Sequence, residues 1–208
     1  MKKIDNFIKI NNLLDFPSED TFYVLQIIKR RKENPEMITG EQVIRRFYLY
    51  NKTELLSLQN KIEFECERNN ARAYINLNKR SHKHIANMML KGSLELVIAG
   101  HYKALKTVYD STCLKHSSDP IKKWIIDIDI KDLAEIEKIK ILIEHLQNNV
   151  RGKASKEFKV LELLETLNGY HLITNPFNLQ EFNKIYDNKH KIEIKKNALT
   201  VLYYNSLE

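Results

Sequence analysis

The sequence predicts an α+β fold: a mixed sheet flanked by helices, mainly on one side, in a single domain over residues 1–208. Three observations carry this expectation. Segments rich in β-branched and aromatic residues are spread along the chain, segments of helical period lie between them, and Asn168-Gly169 separates two apolar runs, the strongest short-range hairpin signal.

Residues 1–16 predict a short amphipathic helix, with Ile4, Phe7, Ile8, Ile10, Leu13 and Leu14 on a ragged stripe closed by "DFPSED". "TFYVLQIIKRRK" from Thr21 is a strand running into a basic tail, and "QVIRRFYLYN" is its partner across a loop with Pro35 and Gly40. Leu55, Leu58, Ile62 and Cys66 then recur at helical spacing behind a capping Asn51 or Thr53. "ARAYINLN" is again a strand, and a helical stretch follows from Ser81 to Cys113, broken near Gly100. After "SSDP" comes the strand "WIIDIDIKD", then a helix over "DLAEIEKIKILIEHLQNN" with Leu133, Ile136, Ile139, Ile143 and Leu146 on one face. The hairpin "EFKVLELLETLNGYHLITNPF", the helix "NLQEFNKIYD" and one or two strands in "KIEIKKNALTVLYYN" complete the chain. Residues 1–70 form an N-terminal helix and strand portion, and 71–205 hold the motifs, without a clean boundary.

The composition is that of an ordinary folded protein, 43% hydrophobic and 29% charged with five Gly and four Pro. No apolar run reaches the roughly 18 to 20 residues that span a bilayer, and the N-terminus is too interrupted for a signal peptide, which points to the cytoplasm and to no membrane partner. Cys66 and Cys113 stand apart without metal-ligand spacing and read as packed, reduced thiols. Net charge is +7, unevenly spread: residues 119–150 hold five lysines against seven acids, −2, leaving +9 on the remainder. An acidic centre in a basic frame suits a metal site that must also hold a phosphate chain and a nucleic acid backbone.

Asp127 and Asp129 lie within an otherwise apolar strand, and residues two apart project from the same face. Two like charges that close are costly without a cation between them. A divalent metal with oxygen ligands is the common solution, and paired carboxylates can hold two ions about 4 Å apart. One aspartate capping a turn and the other facing solvent is the structural alternative. Sugar-nucleotide glycosyltransferases and nucleases also use such pairs. His171 shares a strand face with Gly169, opposite to Tyr170 and Leu172, and a glycine there leaves room for a phosphate or nucleotide contact.

The order "ARAYINLN", "WIIDIDIKD", "LNGYHLIT", "KIEIKK" resembles the archaeo-eukaryotic primase superfamily over about residues 71 to 205. That family carries a hydrophobic DxD motif, a small-x-His motif and a carboxylate after a hydrophobic residue. Asp127 and Asp129 match the first, Gly169 and His171 the second, and Ile192 with Glu193 the third. The chain departs twice: Gly169 stands where the family usually has Ser, and Glu193 where it usually has Asp.

The resemblance implies a primase-like (RRM-like) sheet and metal-dependent nucleotidyl transfer on a nucleic acid template, as in the DNA primases and polymerases of phages and mobile elements. Asp127, Asp129 and Glu193 would be catalytic and would hold two Mg²⁺ or Mn²⁺ ions, and His171 would contact the triphosphate. Arg72, Lys79, Arg80 and Lys195, with Lys196 and the "KRRK" patch at 29–32, are weaker candidates for nucleotide or backbone contacts. Implied partners are nucleoside triphosphates, single-stranded or primer-template DNA, and a separate helicase or replication protein. An inactive nucleic-acid-binding descendant of the fold is the first alternative and a DxD glycosyltransferase the second. A metal-dependent nuclease is a third, distinguished by whether DNA is shortened or extended.

Overall fold

Strand pairing sorts the chain into two antiparallel sheets. The structure, a computed structural model, describes residues 3–38, 40–146, 159–186 and 192–205. The first sheet runs β1 (Lys3–Asp5), β10 (Leu199–Asn205), β4 (Arg72–Asn76), β2 (Thr21–Arg30), β3 (Glu41–Leu49), with β5 (Arg80–Ser81) also on β2. The second runs β7 (Val160–Glu165), β8 (Tyr170–Thr174), β6 (Trp124–Ile128), β9 (Ile192–Lys195). The described helices are α1 (Phe7–Leu13), α2 (Glu54–Ser57), α3 (Gln59–Asn69), α4 (His82–Ile98), α5 (Val108–Lys115), α6 (Leu133–His145) and α7 (Leu179–Ile185). The α+β class expected from the sequence is thus what the chain forms, with its strands divided between two sheets. None of the described helices is long and apolar enough to cross a membrane.

The division follows from the side chains of β6. Trp124, Ile126 and Ile128 pack with Ile136, Ile139 and Ile143 of α6 and Phe182 of α7. On the other face, Ile125 joins Leu164, Ile173, Leu202 and Tyr203 in the core shared with the first sheet. A strand apolar on both faces must be covered on both, which makes β6 central. In the first sheet, Tyr23, Leu25 and Ile27 of β2 belong to that main core with α1 and α3, while Phe22 and Val24 on the opposite face meet Ile85 of α4 and Cys113 of α5. Cys66 and Cys113 are buried free thiols, as the sequence suggested.

Caps fix several helix starts. Ser81, Asp132 and Asn178 each accept a backbone N–H of the following turn, from His84, Ala134 and Glu181. The predicted break near Gly100 is present: α4 ends at Ile98, and Gly100 takes φ +72, a region glycine enters without a Cβ penalty. The hairpin at Asn168-Gly169 joins β7 to β8. The end of the predicted helix at 147–149 lies outside the described residues.

The N-terminus corrects the sequence reading. The single helix expected over 1–16 is a strand followed by a helix, because Ile4 is taken into a small core with Val201 and Tyr204 as β1 pairs with β10. Asn6 marks the switch. Its side-chain amide donates to Glu165 O at 3.0 Å and Val201 O at 3.1 Å, so one residue ties β7, an edge of the second sheet, to β10 of the first.

Candidate functional site

Asp127 lies directly opposite His171 on β8 and opposite Glu193 on β9. In antiparallel pairing, opposed residues share a face, so all three motifs of the sequence meet in one row across three adjacent strands. Strand alternation gives the facing: Ile126, Ile128, Leu172, Ile192 and Ile194 turn to the helices, leaving Asp127, His171 and Glu193 on the other side.

That side opens into a cleft of about 230 Å³ between the sheets. The second sheet contributes Asp127, Asp129, His171 and Lys195, with the hairpin loop at Thr166, Leu167 and Asn168. Arg30, Arg72, Tyr74, Leu199 and Val201 come from the first. A carboxylate pair on one wall therefore shares a small space with guanidinium groups on the other.

Asp127 is held from two neighbouring strands. Its Oδ1 is 3.3 Å from His171 Nε2 and its Oδ2 2.7 Å from Lys195 Nζ. The His171 hydrogen bond is the larger influence on the Asp127 carboxyl, ahead of the opposing effect of burial, and with Lys195 it lowers the pKa to about 2. Asp127 is thus an anion at neutral pH and suited to accept and coordinate. Burial works against the Lys195 charge, but bonds to Asp127 and Glu193 outweigh it and raise its pKa above the usual lysine value. His171 is anchored in turn: its Nδ1 lies 2.8 Å from the hydroxyl of Thr200 on β10, in the other sheet.

Asp129 follows the end of β6, is exposed, and has no hydrogen-bond or ion-pair partner among the described residues. Together, Asp127 and Asp129 offer the oxygen donors that magnesium and manganese accept. Glu193 stands in register but does not join them in a cluster: its side chain is 71% exposed, and its Oε2 lies 3.0 Å from Lys195 Nζ. Among the described residues, no group of three or more acidic, histidine or cysteine side chains is gathered as a metal-holding set. The carboxylate oxygen donors at the cleft are thus those of Asp127 and Asp129, while Glu193 faces an ammonium group.

The basic candidates divide. Arg72 lines the cleft, ion-pairs with Glu33 and lies over the Tyr204 ring at 4.8 Å. Arg30, within the "KRRK" patch, donates to the Tyr74 hydroxyl at 3.2 Å beside it. Lys79 and Arg80 are not brought to the cleft. Lys79 Nζ pairs with Asp15 at 3.2 Å and Asp119 at 3.5 Å. Arg80 is fully buried, donates to the carbonyls of Cys113, Asn78 and Leu114 and to Asn76 Oδ1, and burial pushes its pKa down to about 10. Its position after a strand suggested a ligand contact; its partners make it a brace for the 76–80 turn. Lys196 lies over the Trp124 ring at 5.1 Å, away from the cleft.

Gly169 needs the same correction. The group that approaches it is the chain itself: a Cβ there would strike the Ile128 carbonyl oxygen and come within 3.1 Å of Ile130 N. The small residue lets the hairpin turn lie against the end of β6. Sequence reasoning missed Tyr74 and Thr200 and named Arg30 only as part of a basic run; each reaches the site through pairings distant in sequence.

No family model, curated protein or solved structure matches this chain.

Proposed function

We propose that the cleft is the catalytic centre of a metal-dependent nucleotidyltransferase that acts on a nucleic acid template, of primase or polymerase type. One observation carries the reading: Asp127, His171 and Glu193, far apart in sequence, are aligned across β8, β6 and β9 beside a cleft whose other wall presents Arg30 and Arg72.

The substrate would be a nucleoside triphosphate, attacked at its α-phosphate by a 3′-hydroxyl with release of pyrophosphate. Divalent ions at Asp127 and Asp129 would supply activation of the hydroxyl and charge stabilisation at the leaving oxygen. Asp127 is held ionised and oriented by His171, itself fixed by Thr200. Arg72 and Arg30, ion-paired with Glu33 and Glu41, line the cleft, and their rigid guanidinium forks would suit phosphate oxygens there. The basic remainder of the chain favours a polyanionic template.

The contact of Lys195 with Asp127 favours a second reading, a nucleic-acid-binding module without catalysis. Incubating the protein with Mn²⁺, labelled nucleoside triphosphates and single-stranded DNA, with and without a primer, separates the two. Extended products lost in an Asp127→Asn/Asp129→Asn variant support nucleotidyl transfer. Shortened DNA indicates a nuclease. DNA binding that survives both substitutions, without product from either protein, leaves the binding module.

A further inference from the structure

Both oxygens of the Asp127 carboxylate are occupied by side chains of neighbouring strands, His171 on one and Lys195 on the other. A divalent ion shared between Asp127 and Asp129 would compete with these two groups for the Asp127 carboxylate. They are not equally held. His171 is nine-tenths buried and its second ring nitrogen is fixed by Thr200 at 2.8 Å. Lys195 ends in a compact ammonium on a flexible stem, is one-third exposed, and already lines the cleft shared with Arg30 and Arg72. Lys195 is the group that can leave.

We infer that Lys195 is an exchangeable counter-ion: it competes with the divalent ion for Asp127 and, once displaced, turns to the phosphate chain of the nucleotide. The inference rests on the nucleotidyl-transfer reading and deepens it. Its geometric basis is that the Lys195 ammonium lies 2.7 Å from Asp127, on the carboxylate a divalent ion would use, and is held there by Glu193 of its own strand, β9, at 3.0 Å. Glu193 is then a positioning residue that acts through Lys195, which accounts for its exposure and its distance from a ligand cluster. An ammonium that moves from carboxylate to phosphate remains paired throughout, so entry of the ion leaves no uncompensated charge in the cleft.

The test is binding of Mn²⁺ alone to the intact protein, read from the free-ion electron paramagnetic resonance signal, followed by binding of a non-hydrolysable nucleoside triphosphate at saturating Mn²⁺. Lys195→Met is expected to bind Mn²⁺ about tenfold more tightly than the wild type, an estimate of one lost competing ion pair. It is expected to bind the triphosphate several-fold more weakly. Lys195→Arg should restore competition and bring Mn²⁺ affinity back towards the wild-type value. Glu193→Gln, which loosens the hold on Lys195, should bind Mn²⁺ at least as tightly as the wild type.

Circular dichroism verifies the fold of each variant, and Lys195→Gln takes the place of the methionine variant if that one does not fold. Mn²⁺ affinity unchanged by removing the ammonium overturns the inference and leaves nucleotidyl transfer standing. A large loss of Mn²⁺ affinity in Glu193→Gln overturns it as well, since Glu193 would then be a ligand. Failure of both wild type and Lys195→Met to bind Mn²⁺ overturns the metal-dependent reading itself.

Discussion

His171 stands directly across from Asp127 and reaches past it to Thr200, with its two ring nitrogens 3.3 Å from Asp127 Oδ1 and 2.8 Å from Thr200 Oγ1. One imidazole therefore links a carboxylate of the second sheet to a fully buried hydroxyl of the first. Site geometry is tied to how the two sheets pack. Thr200→Val keeps the volume and removes the hydroxyl. It should cost about 1 kcal/mol of stability, the scale of one hydrogen bond. The nitrogen spectrum of the His171 ring should show a changed tautomer balance, which loss of packing elsewhere would not produce.

The Asp127 carboxyl gives a pH dependence with a definite sign. Its pKa in the folded chain, about 2, lies below the ordinary value of 3.8, so its stabilising contribution is present above about pH 4 and is lost as pH falls towards 2. Discounted for partial exposure, that contribution is about 1 to 2 kcal/mol. Urea unfolding of wild type and Asp127→Asn at a series of pH values should show a stability gap above pH 4 that narrows below it. A gap that stays constant down to pH 2 would contradict the pairing.

Gly169 offers a sharper test of packing. A side chain there meets backbone, the Ile128 carbonyl, which cannot rotate away. Gly169→Ala and Gly169→Ser should each destabilise by about 3 kcal/mol or more, at the upper end for overpacking. Thermal unfolding of either variant at the wild-type midpoint would refute the account of the turn.

The arginines should separate by function. Arg80→Met takes a buried donor away from three carbonyls and from Asn76 Oδ1, and should cost about 3 kcal/mol or more. Lys79→Ala removes two ion pairs and should cost about 1 kcal/mol or less. Arg30→Gln should leave the fold intact and weaken triphosphate binding, because its guanidinium lines the cleft. Chemical denaturation combined with nucleotide titration distinguishes these outcomes.

Much of the fold was legible because its signals are local. The alternation in "WIIDIDI", the period of α6 and the Asn168-Gly169 turn each depend on near neighbours in the chain. The first strand was not legible, since Ile4 pairs with the far terminus and nothing in "KKIDNF" records that. For the same reason Asp127 and His171 could be selected as candidates, while Thr200, Tyr74 and the role of Lys195 emerge only when β8, β9 and β10 are brought beside β6 and β4. Arg80 shows the converse: a basic residue after a strand looks available, and burial decides otherwise.

The central claim is that Asp127 and Asp129 hold the ion that receives a nucleoside triphosphate. The most direct measurement is a crystal structure of the protein with Mn²⁺ and a non-hydrolysable nucleoside triphosphate, with manganese located by anomalous scattering. The expected result is an anomalous peak about 2.1 Å from carboxylate oxygens of both aspartates, with the phosphates towards Arg30 and Arg72. Manganese or nucleotide bound elsewhere, with Lys195 still on Asp127, would contradict it.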